Sequence, residues 1–183
     1  MKKKYLILTG VAPVILLIDQ FSKYYIDSHF LPHRPVAILN NFFQINYIRN
    51  IGAAFGLFSN LSSELRGPLF ISISILAILM ILSFFIKLED RQRLLSFSFS
   101  LILGGALGNF IDRIRLGYVI DFLDIHWYDY YHWPAFNIAD TAITVGVILL
   151  LLEIITGYKE ERDSGSDQIS SHSDEDPQGL SEG

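Results

Sequence analysis

Apolar residues along this chain fall in bunches, with uncharged runs at Tyr5 to Ile18, Gly67 to Ile86, Leu94 to Ile111 and Thr141 to Leu152. A helix that crosses the hydrocarbon of a bilayer needs about 20 apolar residues. The second run has that length and the third nearly does. The first and fourth reach it only by taking in Asp19 with Lys23, or Asp140 with Glu153. The pattern predicts four membrane-spanning helices near 5–26, 67–87, 94–112 and 137–157. Lys2-Lys3-Lys4 ahead of the first run also fits a secretory signal. No A-x-A-like site follows it and three further spans do, so it reads as an uncleaved first helix.

Basic residues orient these spans. Lys2 to Lys4 mark one end of the first, and the short link between the second and third carries Lys87, Arg91 and Arg93. Positive charge stays on the cytoplasmic side, so both termini are expected inside. Two segments, roughly Asp27 to Arg66 and Asp112 to Phe136, then face outward. In the first of them Phe43, Ile45 and Tyr47 alternate with Gln44, Asn46 and Ile48, which suggests a strand. Asn50-Ile51-Gly52 would end it in a turn. In the second, the aromatics between His126 and Trp133 read as an anchor at the membrane surface.

Composition agrees with a membrane chain. Of 183 residues, 51% are apolar and 18% charged, which argues against a disordered or nucleic-acid-binding protein. The net charge of -5 belongs to the end of the chain, because Lys159 to Gly183 holds two bases and eight acids while the remainder is at +1. Residues 1–158 therefore read as a membrane domain and 159–183 as an acidic, disordered cytoplasmic tail. With no cysteine, disulfides, thiolate metal sites and cysteine nucleophiles are excluded.

An ionisable group inside a span is costly and is by default a functional hypothesis. Asp19 and Lys23, four apart, can pair across one helical turn, and a plain helix-end ion pair explains them well. Asn109 and Arg113 share a face at the end of the third span with Asp112 beside them. Arg113 can orient a carboxylate or carbonyl. Just before them, Gly104-Gly105-Ala106-Leu107-Gly108 places small residues where helices pack closely. Asn137 and Asp140 open the fourth span, where capping alone would account for them. Asp121, flanked by Val119, Ile120 and Phe122, adds a second desolvated acid at the same outer surface.

Two carboxylates close together cannot both ionise cheaply, so one keeps a proton while the other stays charged. Such a pair can activate water against an amide without metal or covalent intermediate. Spacing alone does not bring Asp121 and Asp140 together. Asp124, His126, Asp129 and His132 match no closed ligand set, and no metal or cofactor is expected. Ser22, Ser59, Ser62 and Ser63 have no evident histidine and acid partners, and Glu153 can snorkel to the inner surface. A proton-coupled transporter is the chief rival reading and a structural subunit the second. Transporters place such groups near the midplane, often in repeated halves, whereas these crowd one surface and no repeat occurs.

Five blocks together resemble the lipoprotein signal peptidases, also called signal peptidase II. In family order they are Asp19-Gln20-Phe21-Ser22-Lys23; Asn46 through Asn50-Ile51-Gly52-Ala53-Ala54-Phe55; Gly104-Gly105-Ala106 with Gly108-Asn109 and Asp112-Arg113; Val119-Ile120-Asp121-Phe122; and Phe136-Asn137-Ile138-Ala139-Asp140. The resemblance covers about Tyr5 to Tyr158 and implies a mainly α integral-membrane aspartic endopeptidase with four transmembrane helices and a small extracytoplasmic β-platform. It implies a bacterial inner-membrane location, with the active site toward the outer face. The family's substrates are prolipoproteins, cut just before a cysteine that carries a diacylglyceryl group.

By motif position the resemblance implies Asp121 and Asp140 as the catalytic pair. Asp19, Lys23, Asn50, Gly52, Asn109, Arg113 and Asn137 would support substrate and carboxylates. It further implies inhibition by globomycin-type cyclic peptides. Contact with membrane lipids, no nucleic-acid partner and a monomer are expected besides. The segment around Asn46 to Phe58 is a candidate lid, with Gly52 and Gly56 giving it room to move. Nothing in the five blocks accounts for the tail. A chain truncated at Asp163 is expected to retain peptidase activity, and loss of cleavage by that truncated chain would show that the tail takes part.

Overall fold

The computed structural model describes residues 2–52, 62–128 and 130–173. Four helices dominate it: α1 (Lys3–His29), α2 (Ser63–Lys87), α3 (Arg93–Leu116) and α4 (Ile138–Ser173). All four are long and apolar enough to cross a membrane, the apolar part of α4 being Ile138–Thr156. α1 and α3 extend past their expected outer ends, and α4 continues through residue 158 into the segment read as a tail; residues 174–183 lie outside the described residues.

α3 is the central helix. Half of its most apolar stretch is buried, against 6% for α2. Its interior face is made of small residues, which is why its neighbours come so close. A Cβ on Gly104 would stand 2.8 Å from the Ala12 carbonyl oxygen of α1, one on Gly105 would overlap the Ala139 carbonyl of α4, and one on Gly108 would overlap Asp19 Oδ2. Ser96, Ser98 and Ser100 are fully buried on this helix. Each hydroxyl donates to the carbonyl four residues earlier, so none of the three is left bare. Large apolar side chains of α1, α2 and α4, such as Leu17, Phe21, Leu76 and Ile155, face outward where lipid would cover them.

A four-stranded sheet, β1 (Val36–Leu39), β2 (Phe43–Asn50), β3 (Val119–Trp127) and β4 (Tyr131–His132), runs in that order with antiparallel neighbours. The strand expected from Phe43 is β2. The aromatic stretch near the membrane surface is the β3–β4 hairpin, with Trp127, Tyr130 and Trp133 exposed. Its strand character was masked in the sequence because aromatics occupy both faces and hide the period of two. Ile26, Tyr47, Ile120 and Phe122 form the core between sheet and α1, and the Tyr47 hydroxyl donates to Asp27. Gly117, left-handed at φ 79°, ends α3 and turns the chain into β3, which brings Asp121 back over the bundle.

At the opposite end, the buried Lys4 ammonium donates to the Ile86 and Leu88 carbonyls at the end of α2, at 2.8 and 2.7 Å. Nearer the sheet a second lysine ties three helices. Lys23 Nζ of α1 lies 2.8 Å from Asp19 Oδ2 and 2.9 Å from Asp112 Oδ2 of α3, and donates to Asn109 Oδ1 at 2.9 Å. Asp19 Oδ1 in turn accepts from the Ala139 amide of α4 at 2.9 Å.

Lys23→Met would leave two carboxylates buried without their cation, a defect that costs about 3–5 kcal/mol. Thermal unfolding in detergent is expected to show a large loss of stability, much of it restored when Asp19→Asn and Asp112→Asn are added. An unchanged unfolding midpoint in Lys23→Met would mean the clamp does not hold the bundle.

Candidate active site

Asp121 and Asp140 reach the same place by different routes. Asp121 sits on β3, opposite Ile48 of β2, and is 2% exposed. Asp140 lies in the first turn of α4 and is half-buried. Asn137 stands between them. Its Nδ2 donates to Asp121 Oδ1 at 2.7 Å, while its own backbone amide donates to Asp140 Oδ2 at 3.2 Å and its Oδ1 accepts from the Asp140 amide at 2.9 Å. The last two bonds form a reciprocal capping box, which fixes the start of α4 and the direction of the Asp140 carboxylate together.

Each remaining oxygen of the pair has its own amide. Asn109 Nδ2 donates to Asp140 Oδ1 at 2.7 Å, and Asn50 Nδ2 donates to Asp121 Oδ2 at 2.8 Å. Asn50 is held by its Oδ1, which accepts from the Gly52 amide at 2.8 Å. Gly52 needs to be glycine twice over, because its φ is 89° and a Cβ would collide with the Phe70 ring. Asn109 is fixed from behind, since its Oδ1 accepts from both Lys23 Nζ and, at 3.1 Å, Asn137 Nδ2. The Asp19 and Lys23 pair thus acts on Asp140 through one intervening amide.

Arg113 is placed differently from its neighbours. Its Nη1 donates to the Asn109 carbonyl at 3.3 Å and its guanidinium stands 5.9 Å from the centre of the Phe70 ring. Among the described residues no ion pair joins it to either carboxylate. It lines a cavity of about 210 Å³ together with Asn50, Ile51, Phe70 and Tyr118. Two residues outside the expected supporting set complete the support. Asp112 is the second carboxylate on Lys23 and also accepts from the Ile120 amide at 3.2 Å, one residue before Asp121. Gln20 Nε2 bridges Asp112 Oδ1 at 2.9 Å and the Gly108 carbonyl at 3.1 Å. Gln20 lies between the two ionisable residues Asp19 and Lys23, and its contact with α3 was the missing signal.

Burial, and then the nearby Asp140 charge, push the Asp121 carboxyl up to about 7, with its two amide donors pulling the other way. A carboxyl able to hold a proton near neutral pH therefore stands beside a second acid. Asp140 also lines a cavity of about 640 Å³, walled by Trp133, Phe136, Val145 and other apolar groups. Water activation against an amide of a partly apolar substrate is chemistry this arrangement can perform. The segment expected to act as a lid is described only as far as Gly52, and Ala53 to Phe58 lie outside the described residues.

Known proteins resemble the chain throughout its membrane domain. Residues 11–156 match the model of the signal peptidase (SPase) II family. The lipoprotein signal peptidase of Syntrophus aciditrophicus is 45% identical over 88% of this chain and 99% of its own length. That of Geobacter metallireducens is 46% identical over 91% of this chain and 99% of its own. A solved bacterial membrane enzyme superposes with a TM-score of 0.72 at 36% identity, covering 84% of this chain and 97% of the other. Family model, relatives and fold agree, and the chain belongs to the signal peptidase II family of aspartic peptidases.

Proposed function

We propose that this chain removes signal peptides from diacylglyceryl-modified prolipoproteins, cutting just before the lipidated cysteine, with Asp121 and Asp140 as the catalytic pair. The observation that carries this reading is Asn137, which hydrogen-bonds both carboxylates and so ties Asp121 to Asp140, the member that lines the larger cavity. Family membership supports the substrate class, since the curated relatives are lipoprotein signal peptidases. The apolar wall of the cavity suits acyl chains, and a cleft beside the sheet admits a substrate that arrives sideways from the bilayer.

The chemistry follows from the two environments. Asp140, the more exposed member, is the charged base that takes a proton as water adds to the scissile carbonyl carbon. Asp121, the deeper member, holds the shared proton, donates a hydrogen bond to the carbonyl oxygen and protonates the leaving nitrogen as the C–N bond breaks. Asn109, Asn137 and Asn50 fix both groups, and Asp19 and Lys23 hold Asn109. Arg113, on the neighbouring cavity, is placed to orient a substrate carbonyl. Basic residues at Lys2 to Lys4 and in the link from Lys87 to Arg93 support cytoplasmic termini and an outward-facing site in a bacterial cell membrane. Globomycin-type peptides would compete for the carboxylates. A monomer suffices for this chemistry, since one chain supplies both acids.

Cleavage of a diacylglyceryl-modified prolipoprotein by detergent-purified protein tests the assignment. Asp121→Asn and Asp140→Asn keep shape and remove an ionisable acid, and each is expected to lower the rate by about 10²–10⁴-fold or more with the unfolding temperature nearly unchanged. Folded variants that still cut would exclude this pair. A wild-type chain that never cuts lipidated substrate would exclude the substrate class.

The pH profile gives a second test. The Asp121 carboxyl, raised to about 7, is protonated below that value and charged above it. The acid form is the active one, so kcat/KM is expected to decline as pH rises through about 7. A rate that keeps climbing from pH 7 to 9 would show that no protonated carboxyl takes part.

A further inference from the structure

The β3–β4 hairpin carries a second cluster that peptide hydrolysis does not use. Asp124 and His126 are two apart on β3 and therefore project from one face of the sheet. His132 of β4 is the register partner of His126 and stands on that face beside it, the two imidazoles stacked with centroids 5.1 Å apart. One ligating atom from each of the three residues lies within 4.8 Å of the others. His132 Nδ1 is 3.7 Å from Asp124 Oδ1. Metal bonds of about 2.1 Å set tetrahedral ligands about 3.4 Å apart, so a small closure of the side chains brings them into place.

Hydrogen bonding within the cluster is incomplete in a telling way. Asp124 is 4% exposed. Its Oδ2 accepts from Gln44 Nε2 at 2.8 Å and from Asn46 Nδ2 at 3.0 Å, both on the neighbouring strand β2. Among the described residues its Oδ1 is buried without a hydrogen-bond partner, and so is Nδ1 of His126. A buried polar atom left unmade costs about 1–3 kcal/mol. A buried carboxylate oxygen and a buried imidazole nitrogen left bare in one cluster, with the carboxylate steered from behind by two amides, are what a bound cation would satisfy together.

We propose that Asp124, His126 and His132 bind one divalent transition-metal ion of the zinc class. Two imidazoles and a single carboxylate favour such an ion over calcium or magnesium, which prefer all-oxygen sets. His132 is half-exposed, so the ion keeps an open side to water and exchanges readily. Binding joins β3 to β4 and stiffens one wall of the larger cavity, which His126, Trp127, Tyr131 and Trp133 also line. The proposal does not depend on the roles given to Asp121 and Asp140.

Titration of the full-length chain with Co²⁺ tests it, using protein purified in detergent without a histidine tag and stripped with chelator. The two tryptophans of the chain, Trp127 and Trp133, both belong to this hairpin and report on it directly. One cobalt per chain is expected by elemental analysis, with visible d–d absorption and tryptophan quenching that saturate together and reverse with chelator. His132→Gln, at an exposed position, and Asp124→Asn should each weaken binding at least about tenfold, the loss that even outer-shell changes cause at metal sites. Asp121→Asn/Asp140→Asn should bind as wild type does. No binding by wild type, unchanged binding by His126→Gln/His132→Gln, or loss of binding in the Asp121→Asn/Asp140→Asn chain instead would each overturn the proposal.

Discussion

Lys23 carries a positive charge into the interior of a helix bundle, where taking an ammonium out of water costs several kcal/mol unless the charge is matched and every proton is bonded. Its three donors meet Asp19, Asp112 and Asn109, so the group is satisfied in full. The two carboxylates it holds are satisfied as well, by the Ala139 and Ile120 amides and by Gln20. Those partners come from α1, α3, β3 and α4. A cluster that tolerates no missing member therefore fixes the relative position of four elements, and the bundle end that bears the sheet has one arrangement that leaves no buried charge bare.

The small residues of α3 make that arrangement reachable. Gly108 lets Asp19 lie against the helix backbone, and Gly105 lets α4 start at the depth where the Ala139 amide meets Asp19. Close packing and polar satisfaction are thus one constraint: a side chain at Gly108 would displace the carboxylate that anchors Lys23, and Lys23 would then release Asn109. From Asn109 a single hydrogen bond reaches Asp140. Rigidity at the proposed catalytic pair is inherited from helix packing several residues away, which suits chemistry that depends on carboxylates being held in position before substrate arrives.

Much of this was legible in the sequence because bilayers punish polar residues. Asp19, Lys23, Asn109 and Asp140 stood out against apolar runs, and each lies in the network. The four spans were visible for the same reason, and β2 through its alternation. Less legible was anything decided across the chain. Asp112 looked like the companion of Arg113, yet its partners are Lys23 and Gln20, an exchange that only the approach of α1 to α3 determines. Arg113 shares a face with Asn109, but its guanidinium turns to the Asn109 carbonyl and the Phe70 ring rather than to the carboxylates. The β3–β4 hairpin was hidden by its aromatics, and with it the meeting of His126 and His132, which a separation of six positions in sequence does not suggest.

Capping and catalysis, which the sequence left as alternatives for Asn137 and Asp140, are served by the same atoms. A helix start needs its first amides bonded, and the exchange between Asn137 Oδ1 and the Asp140 amide, returned by Asp140 Oδ2 to the Asn137 amide, meets that need. The exchange leaves Asn137 Nδ2 free to reach Asp121 and leaves Asp140 Oδ1 to receive Asn109. Because α4 begins at this point, its positive end also lies beside the carboxylates. A loop could present the same two acids, but it would have to be ordered at the moment of reaction. Placing them at a capped helix start and on a paired strand means that folding has already done the ordering, and the stability of the helix end and the geometry of the acid pair stand or fall together.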